Sequence, residues 1–334
     1  MVMRLLCHKP AVPNFGDDLN EVLWPTLAPG LFAPDDDKAF VGVGTIVGID
    51  PGRSTKLHVF SSGAGYTSLQ RWRGRDVEYH CVRGPVTARV LGLDADKVLT
   101  DGAVLVPNLA EFRHAPSDRQ GGVVVIPHFE TIAFPGWIEA AQMAGLDLVD
   151  PRGTPKEVIG ALAGARLVVT ESLHGAILAD AFGVPWRPFA VSRNFSTAKW
   201  ADWAASLDLE VDVALVPPPD ALQLFRFGKR AEPFGSMLRL DVEHALAEFR
   251  QRIEPASAPP FLKVQAKRML EMVPAARRLL GFSPVRTATA LASIAALDPY
   301  LSDPIKRGLL RDEMLGRLDA LARRQEAAPP VGAL

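Results

Sequence analysis

The stretch Arg166-Leu-Val-Val-Thr-Glu-Ser-Leu-His-Gly-Ala-Ile-Leu-Ala-Asp-Ala-Phe-Gly-Val-Pro185 decides how this chain is read. Its apolar run from Arg166 to Thr170 is that of a strand buried on both faces, broken at Glu171 and Ser172 and resumed as a helix over Ala176 to Phe182. A buried strand that feeds a helix is the repeating unit of a parallel α/β sheet. His174 stands at the strand-to-helix turn, where free backbone N–H groups and the positive end of the helix dipole suit a phosphate or carboxylate. A histidine there can hold an anion and move a proton near neutral pH. The alternative is that Gly175 serves only tight packing and His174 caps the turn or fills a gap. Its place at the carboxyl edge of an open sheet, where ligands bind, favours function.

Upstream and downstream the same alternation recurs. Strands are expected at Arg4 to His8, Ala39 to Val43, Leu57 to Ser61, Val77 to Val82 and Lys97 to Thr100, with helices at Asp18 to Leu27 and Pro85 to Leu91. The polar segment Asn108 to Gly121 lacks apolar periodicity and reads as a linker. A second series follows, with strands at Gly122 to Ile126 and Leu146 to Val149 and helices at Pro135 to Gly145 and Lys156 to Ala163. The fold class is therefore α/β: two Rossmann-like lobes facing a cleft, residues 1–118 and 119–216, with a helical C-terminal tail over 217–334. Past Pro217-Pro218-Pro219 the strand signals stop, and Leu240 to Ile253, Phe261 to Leu280 and Ile305 to Arg324 read as helices. The segment 261–280 interleaves Lys263, Lys267, Arg268, Arg277 and Arg278 with apolar residues, so it suits either an anionic membrane surface or packing on the body with a solvated basic face.

A length of 334 residues favours more than one core, and 48% hydrophobic with 22% charged residues is the composition of a packed soluble protein. Lys and Arg number 37 against 38 Asp and Glu, which argues against nucleic acid as a partner and makes any anion site local. Cys7 and Cys81 lie in apolar strand-like runs without metal-ligand spacing, as small core residues do in a reducing cytoplasm. The apolar start is too short for a signal peptide, and charges interrupt every apolar stretch before the roughly 20 residues a membrane span needs.

Three further motifs carry chemistry. In Tyr79-His-Cys-Val-Arg-Gly-Pro-Val-Thr-Ala-Arg89 a strand ends at Val82 and Pro85 opens a helix, so Arg83 sits at the mouth of the sheet. It can grip a carboxylate or phosphate in bidentate fashion, or form a salt bridge with a neighbour such as Asp101. In Pro13-Asn-Phe-Gly-Asp-Asp-Leu-Asn20, Asp17 or Asp18 would cap the next helix, while the surplus of Asn14, Gly16 and two acids suggests that one side chain, Asp17, faces the cleft and bonds acceptor hydroxyls. The turns Gly42-Val-Gly44 and Gly63-Ala-Gly65 lack the dinucleotide spacing and read as close-approach turns.

Taken together, Asn14-Phe-Gly-Asp17, Gly42-Val-Gly44, Ser62-Gly-Ala-Gly65, Val82-Arg-Gly-Pro-Val-Thr-Ala88, Thr100-Asp-Gly-Ala103, Ile126-Pro-His128 and Glu171-Ser-Leu-His-Gly175 resemble, in order and spacing, the polysaccharide pyruvyltransferase family. The likeness runs from about residue 5 to 205 and looks closest to bacterial exopolysaccharide members of the succinoglycan type. Family members often have Gly-Asp-Pro-Ala where this chain has Thr100-Asp-Gly-Ala103. The resemblance implies a GT-B-like fold and an enzyme that moves the enolpyruvyl group of phosphoenolpyruvate onto two hydroxyls of a sugar, forming a ketal and releasing phosphate. It implies no cofactor and no metal, with phosphoenolpyruvate as co-substrate and a saccharide, lipid-linked or polymeric, as acceptor. On this basis His174 and Arg83 are the catalytic candidates. Arg83, Ser172, His174, Arg193 and Lys199 are the donor-binding candidates, and Asp17, Asn14, His128 and Glu171 the acceptor-binding ones. The expected location is the cytoplasm, with 261–280 as a peripheral contact to the inner membrane face. A GT-B glycosyltransferase using a nucleotide sugar and a non-catalytic sugar-binding protein are the competing readings.

Overall fold

The structure is a computed structural model and describes residues 2–33, 37–65, 67–112, 121–253 and 280–326. Its strands form two sheets. The first contains β1 (Arg4–Leu6), β2 (Lys38–Val41), β3 (Lys56–Ser62) and β4 (Asp76–Val82), parallel and side by side in chain order. The second contains β5 (Val123–Ile126), β6 (Asp147–Leu148), β7 (Leu167–Thr170), β8 (Trp186–Ala190), β9 (Asp212–Leu215) and β10 (Met237–Arg239), in the order β10-β9-β8-β7-β5-β6. All its neighbours are parallel except β10, which runs antiparallel to β9. Strands such as Leu167–Thr170 are buried along their whole length, because helices cover both faces and only continuous apolar runs fit there.

Between β5 and β7 the direction of winding reverses: the chain passes from β5 outward to β6, then returns to the other side of β5. Such a switch point parts the connecting loops and leaves a crevice at the carboxyl ends of the strands. The loops that open there follow Ile126 and Thr170, which pair in register.

The helices are α1 (Phe15–Leu27), α2 (Pro85–Leu91), α3 (Trp137–Ala144), α4 (Pro155–Gly164), α5 (Leu173–Ala181), α6 (Thr197–Ser206), α7 (Leu222–Phe227), α8 (Val242–Ile253), α9 (Pro284–Ala295) and α10 (Pro304–Glu326). Two of them begin earlier than their sequence suggests, for the same reason. Asn14, not Asp17 or Asp18, caps α1 by accepting from the Gly16 N–H, and Ser172 caps α5 by accepting from the Gly175 N–H at 3.3 Å. Each cap draws the residues after it into the first turn, so His174 lies within α5 rather than before it.

Three expectations need correction. Lys97 to Thr100 is not a strand: Ala95–Lys97 is a 3₁₀ turn, Val98 makes one bridge to Val82, and Asp101 then caps a 3₁₀ helix over Gly102–Asn108. The expected linker begins inside the core, since Leu109 and Phe112 are buried; residues 113–120 lie outside the described residues. The tail is not all helix, because β10 pairs with β9; only Leu238 of that edge strand packs inward, too little to leave an apolar run in the sequence. In the tail, α8 packs on α2 and α6, α9 on α3, and α10 on the Gly102–Asn108 segment. The basic segment 261–280 lies, but for Leu280, outside the described residues. No described helix is long and apolar enough to cross a membrane. Burial pushes the thiols of Cys7 and Cys81 up to about 12; Cys81 is a core residue as expected, whereas Cys7 is only half-buried.

Candidate functional site

A cavity of about 450 Å³ opens where the carboxyl ends of several parallel strands converge. His8 follows β1, Asn14 and Asp17 open α1, and Thr45 follows β2. From the second sheet come His128 and Glu130 after β5, Ser172 and His174 after β7, and Asn194 and Lys199 after β8. Of the residues singled out from sequence, Asn14, Asp17, His128, Ser172, His174 and Lys199 therefore share one cavity, whereas Arg83, Glu171 and Arg193 do not line it.

His174 is fixed by its surroundings. A Cβ at position 16 would lie 2.0 Å from its Nδ1, so Gly16 leaves the space the ring fills. Phe15 meets it edge to face at a centroid distance of 6.4 Å. Its Nε2 is buried, turned toward Asp101 Oδ1 at 4.0 Å, and hydrogen-bonds none of the described residues. Burial holds the imidazole down to about 4; Asp17 opposes this, while Lys199 and Arg83 reinforce it. Asp101, wholly buried, is pushed by burial up to about 6, against the pull of Arg83 and of the Ala103 N–H that it caps.

Arg83 lies one layer behind the cavity. Its Nε donates to Asp202 Oδ2 at 3.0 Å and its Nη1 to Thr45 Oγ1 at 2.8 Å, and Thr45 lines the cavity. The salt-bridge partner is thus Asp202 of α6, not Asp101. Asp202 also accepts from the Thr87 N–H at 2.9 Å and from Thr87 Oγ1 at 2.6 Å. The glycines beside Arg83 have steric reasons: a Cβ at Gly63 would strike the guanidinium at 2.2 Å, and one at Gly84 the Asp202 carbonyl at 1.8 Å. Arg83-Gly-Pro-Val-Thr87 is therefore, in part, a docking sequence for α6. The Arg83 Nη2 atom is buried and hydrogen-bonds none of the described residues.

Glu171 is also a buried support rather than a cavity wall. Its carboxylate accepts from the His128 N–H at 3.1 Å and the Val191 N–H at 3.3 Å, tying the loops after β5 and β8 to the end of β7. Burial pushes this carboxyl up to about 7, against those bonds and one from Thr131. The same burial holds His128 down to about 3, with Lys199 adding to the effect. Arg193 faces solvent, and its neighbour Asn194 enters the cavity instead, its Nδ2 3.0 Å from His128 Nδ1 and 3.2 Å from Glu130 Oε2. Nothing in the sequence marks Asn194. Neither does it mark Asn20, which bridges Asp17 and Val43 carbonyls to the Trp24 indole N–H.

A second titratable cluster, His58, Glu78 and His80, faces the tail helix from the first sheet. Its spacing would admit a metal ion, but its own bonds use the ligand atoms. Arg324 approaches His80 Nδ1, which leaves His80 Nε2 to donate to His58 Nδ1 at 3.0 Å, and Glu78 pairs with Lys56 and Arg324. Burial holds both imidazoles down to about 4.

A family model described as polysaccharide pyruvyl transferase matches residues 23–193. The succinoglycan biosynthesis protein ExoV of Rhizobium meliloti (strain 1021) is 38% identical over 207 residues, which is 61% of this chain. The chain spans 65% of the length of that curated relative. The matched family region holds Arg83, Asp101, His128, Glu171 and His174, while Asn14, Asp17 and Lys199 flank it.

Proposed function

This chain belongs to the polysaccharide pyruvyl transferase family, and from that premise we propose that it moves the enolpyruvyl group of phosphoenolpyruvate onto two hydroxyls of a saccharide in exopolysaccharide assembly. The product is a pyruvate ketal and the leaving group is phosphate. The observation that carries this reading is the convergence of His174 and Lys199 with Asp17 and Asn14 in one cavity at the switch point, with the Arg83 cation directly behind Thr45.

Phosphoenolpyruvate sets a carboxylate and a phosphate on one small carbon frame, so its site needs cationic charge in a partly dry setting. Lys199 meets the anions directly, and Arg83 acts on them through a short low-dielectric path. Ser172 and the first turn of α5 offer a hydroxyl and N–H groups to the phosphate. An acceptor hydroxyl adds to the central carbon while a proton goes to the methylene carbon. A second hydroxyl then gives up its proton, displaces phosphate at the same carbon and closes the ketal. His174 serves as general acid or as stabiliser of the departing phosphate, and Asp17, held by the Asn14 amide at 2.8 Å, orients or deprotonates the acceptor. The arriving anion offsets the burial that keeps His174 neutral before substrate binds.

In this reading the two sheets are Rossmann-like lobes in a GT-B-like arrangement, with the acceptor on the side of residues 1–118 and the donor on the side of 119–216. A lipid-linked acceptor would place the reaction at the cytoplasmic membrane face. The test measures phosphate release from phosphoenolpyruvate with a panel of lipid-linked and aryl glycosides, beside thermal shifts with phosphoenolpyruvate and with nucleotide sugars. Acceptor-dependent release, with stabilisation by phosphoenolpyruvate alone, supports the proposal through mass-action linkage. Stabilisation by a nucleotide sugar alone, with no release, replaces it with glycosyl transfer.

A further inference from the structure

His174 has two faces of different character. The ring lines the cavity, but Nε2 points away from it into the protein, toward Asp101 at 4.0 Å. Asp101 does not line the cavity and is fully buried, so it can meet substrate only through another group. Both residues carry a buried polar atom without a hydrogen-bond partner among the described residues, His174 Nε2 and Asp101 Oδ2, and the carboxylate oxygen nearest Nε2 is Oδ1. Buried polar atoms are rarely left so, and an unmet imidazole nitrogen 4.0 Å from a buried carboxylate marks an interaction completed in another state of the site.

Other groups set the electrostatics of the gap. Asp17 faces His174 from α1, Lys199 from α6 and Arg83 from the end of β4, while Asp101 feels Arg83 and the Ala103 N–H. Asp101 Oδ1 already caps the 3₁₀ helix over Gly102–Asn108 through that N–H at 3.0 Å, which fixes the carboxylate and leaves Oδ2 over. With Gly16 shaping the other side of the ring, Nε2 needs a movement of about 1 Å to reach hydrogen-bond distance of Oδ1, whose second lone pair is not used by the cap.

We propose that Asp101 is the positioning residue of His174: it accepts the Nε2–H, fixes that tautomer, and stabilises the imidazolium formed when the other ring nitrogen takes a proton at the cavity. No bond to substrate is made or broken at Asp101. The proton enters and leaves through His174 Nδ1, and the carboxylate stays ionised throughout. This role rests on the pyruvyl-transfer reading for its kinetic consequence, though not for its structural one.

The experiment has two arms. In the first, ¹⁵N chemical shifts and long-range ¹H–¹⁵N couplings of His174 are read in the ligand-free wild-type protein and in Asp101→Asn. The wild type is expected as the Nε2–H tautomer, and its imidazole is expected to titrate at lower pH in the variant. An Nδ1–H tautomer in the wild type, or an unmoved titration, overturns the proposal whatever the protein catalyses. In the second arm kcat and KM for phosphate release are measured against pH. The amide of Asp101→Asn would still offer its oxygen to the Ala103 N–H, so the cap and the melting temperature should persist. A fall in kcat of roughly 10²–10⁴-fold, the usual share of general acid–base catalysis, with KM little changed and the pH profile moved to lower pH, is the expected result. A pH profile identical to the wild type overturns the role. If wild type turns over no acceptor, the pyruvyl-transfer reading fails while the spectroscopic arm still decides the pairing.

Discussion

Arg83 and Asp202 meet at 3.0 Å across 119 residues of sequence, with both side chains removed from solvent. The ion pair joins the end of β4 to α6, the helix that carries Lys199 into the cavity. A buried pair adds little stability over an apolar replacement of both partners, but removing one partner leaves the other charge desolvated. Asp202→Ala is therefore expected to lower stability by about 3–5 kcal/mol, and Thr87 loses both its bonds to the carboxylate as well. Urea unfolding checks the magnitude. An unchanged midpoint would mean that Arg83 finds another partner.

Gly16→Ala tests how tightly α1 fixes the histidine. Alanine is a better helix former than glycine, so local propensity alone predicts a small gain in stability. The new Cβ, however, would sit 2.0 Å from His174 Nδ1 and must push the ring aside. A displacement near 1 Å at a reacting group costs about 10²-fold in rate. A drop of that order in kcat/KM for phosphate release, with native circular dichroism, is the expected outcome.

The buried histidine pair on the first sheet sets part of the acid stability. Burial lowers His58 from 6.5 to about 4, so the folded protein resists a proton that the unfolded chain accepts below 6.5. Its contribution is complete above pH 6.5 and is lost as pH falls toward 4. In His58→Phe the fall of the urea midpoint between pH 6.5 and 4.5 should be shallower than in wild type, whatever the variant's absolute stability. Buried Asp101 and Glu171 act with the opposite sign, since their raised values favour folding at low pH. Comparing slopes between variant and wild type isolates the histidine.

What the sequence reveals is set by how local each cause is. The run Leu167–Thr170 and the Glu-Ser-Leu-His-Gly turn after it announce a buried strand, a cap and a helix start within a few residues of one another. His174 is legible for that reason, and Pro85 with its helix likewise. The partners of Arg83 and Glu171 are not, because the carboxylate or N–H that each meets lies far along the chain. The strand Trp186–Ala190, with Arg187 and Pro188 inside it, hides its character in composition; the Arg187 guanidinium lies over the Tyr300 ring, 4.7 Å from its centroid. The orphaned atoms of Asp101 and His174 exist only as a relationship in space.

The loop after β8 offers a direct contrast between charge and position. Arg193 stands out in the sequence as a cation near the donor, yet its side chain is exposed and absent from the cavity lining. Asn194 carries no charge, yet its amide holds both the His128 ring and the Glu130 carboxylate at the cavity wall. Arg193→Ala, a surface change, should therefore leave stability within about 0.5 kcal/mol and leave kcat/KM close to wild type. Asn194→Ala frees His128 and Glu130 to rotate, and the loss of bonds worth about 1.4 kcal/mol corresponds to roughly a tenfold lower kcat/KM. Steady-state phosphate release from the two variants decides between them: a large defect in Arg193→Ala beside a normal Asn194→Ala would mean that the loop turns over when donor binds, bringing the guanidinium inward in place of the amide.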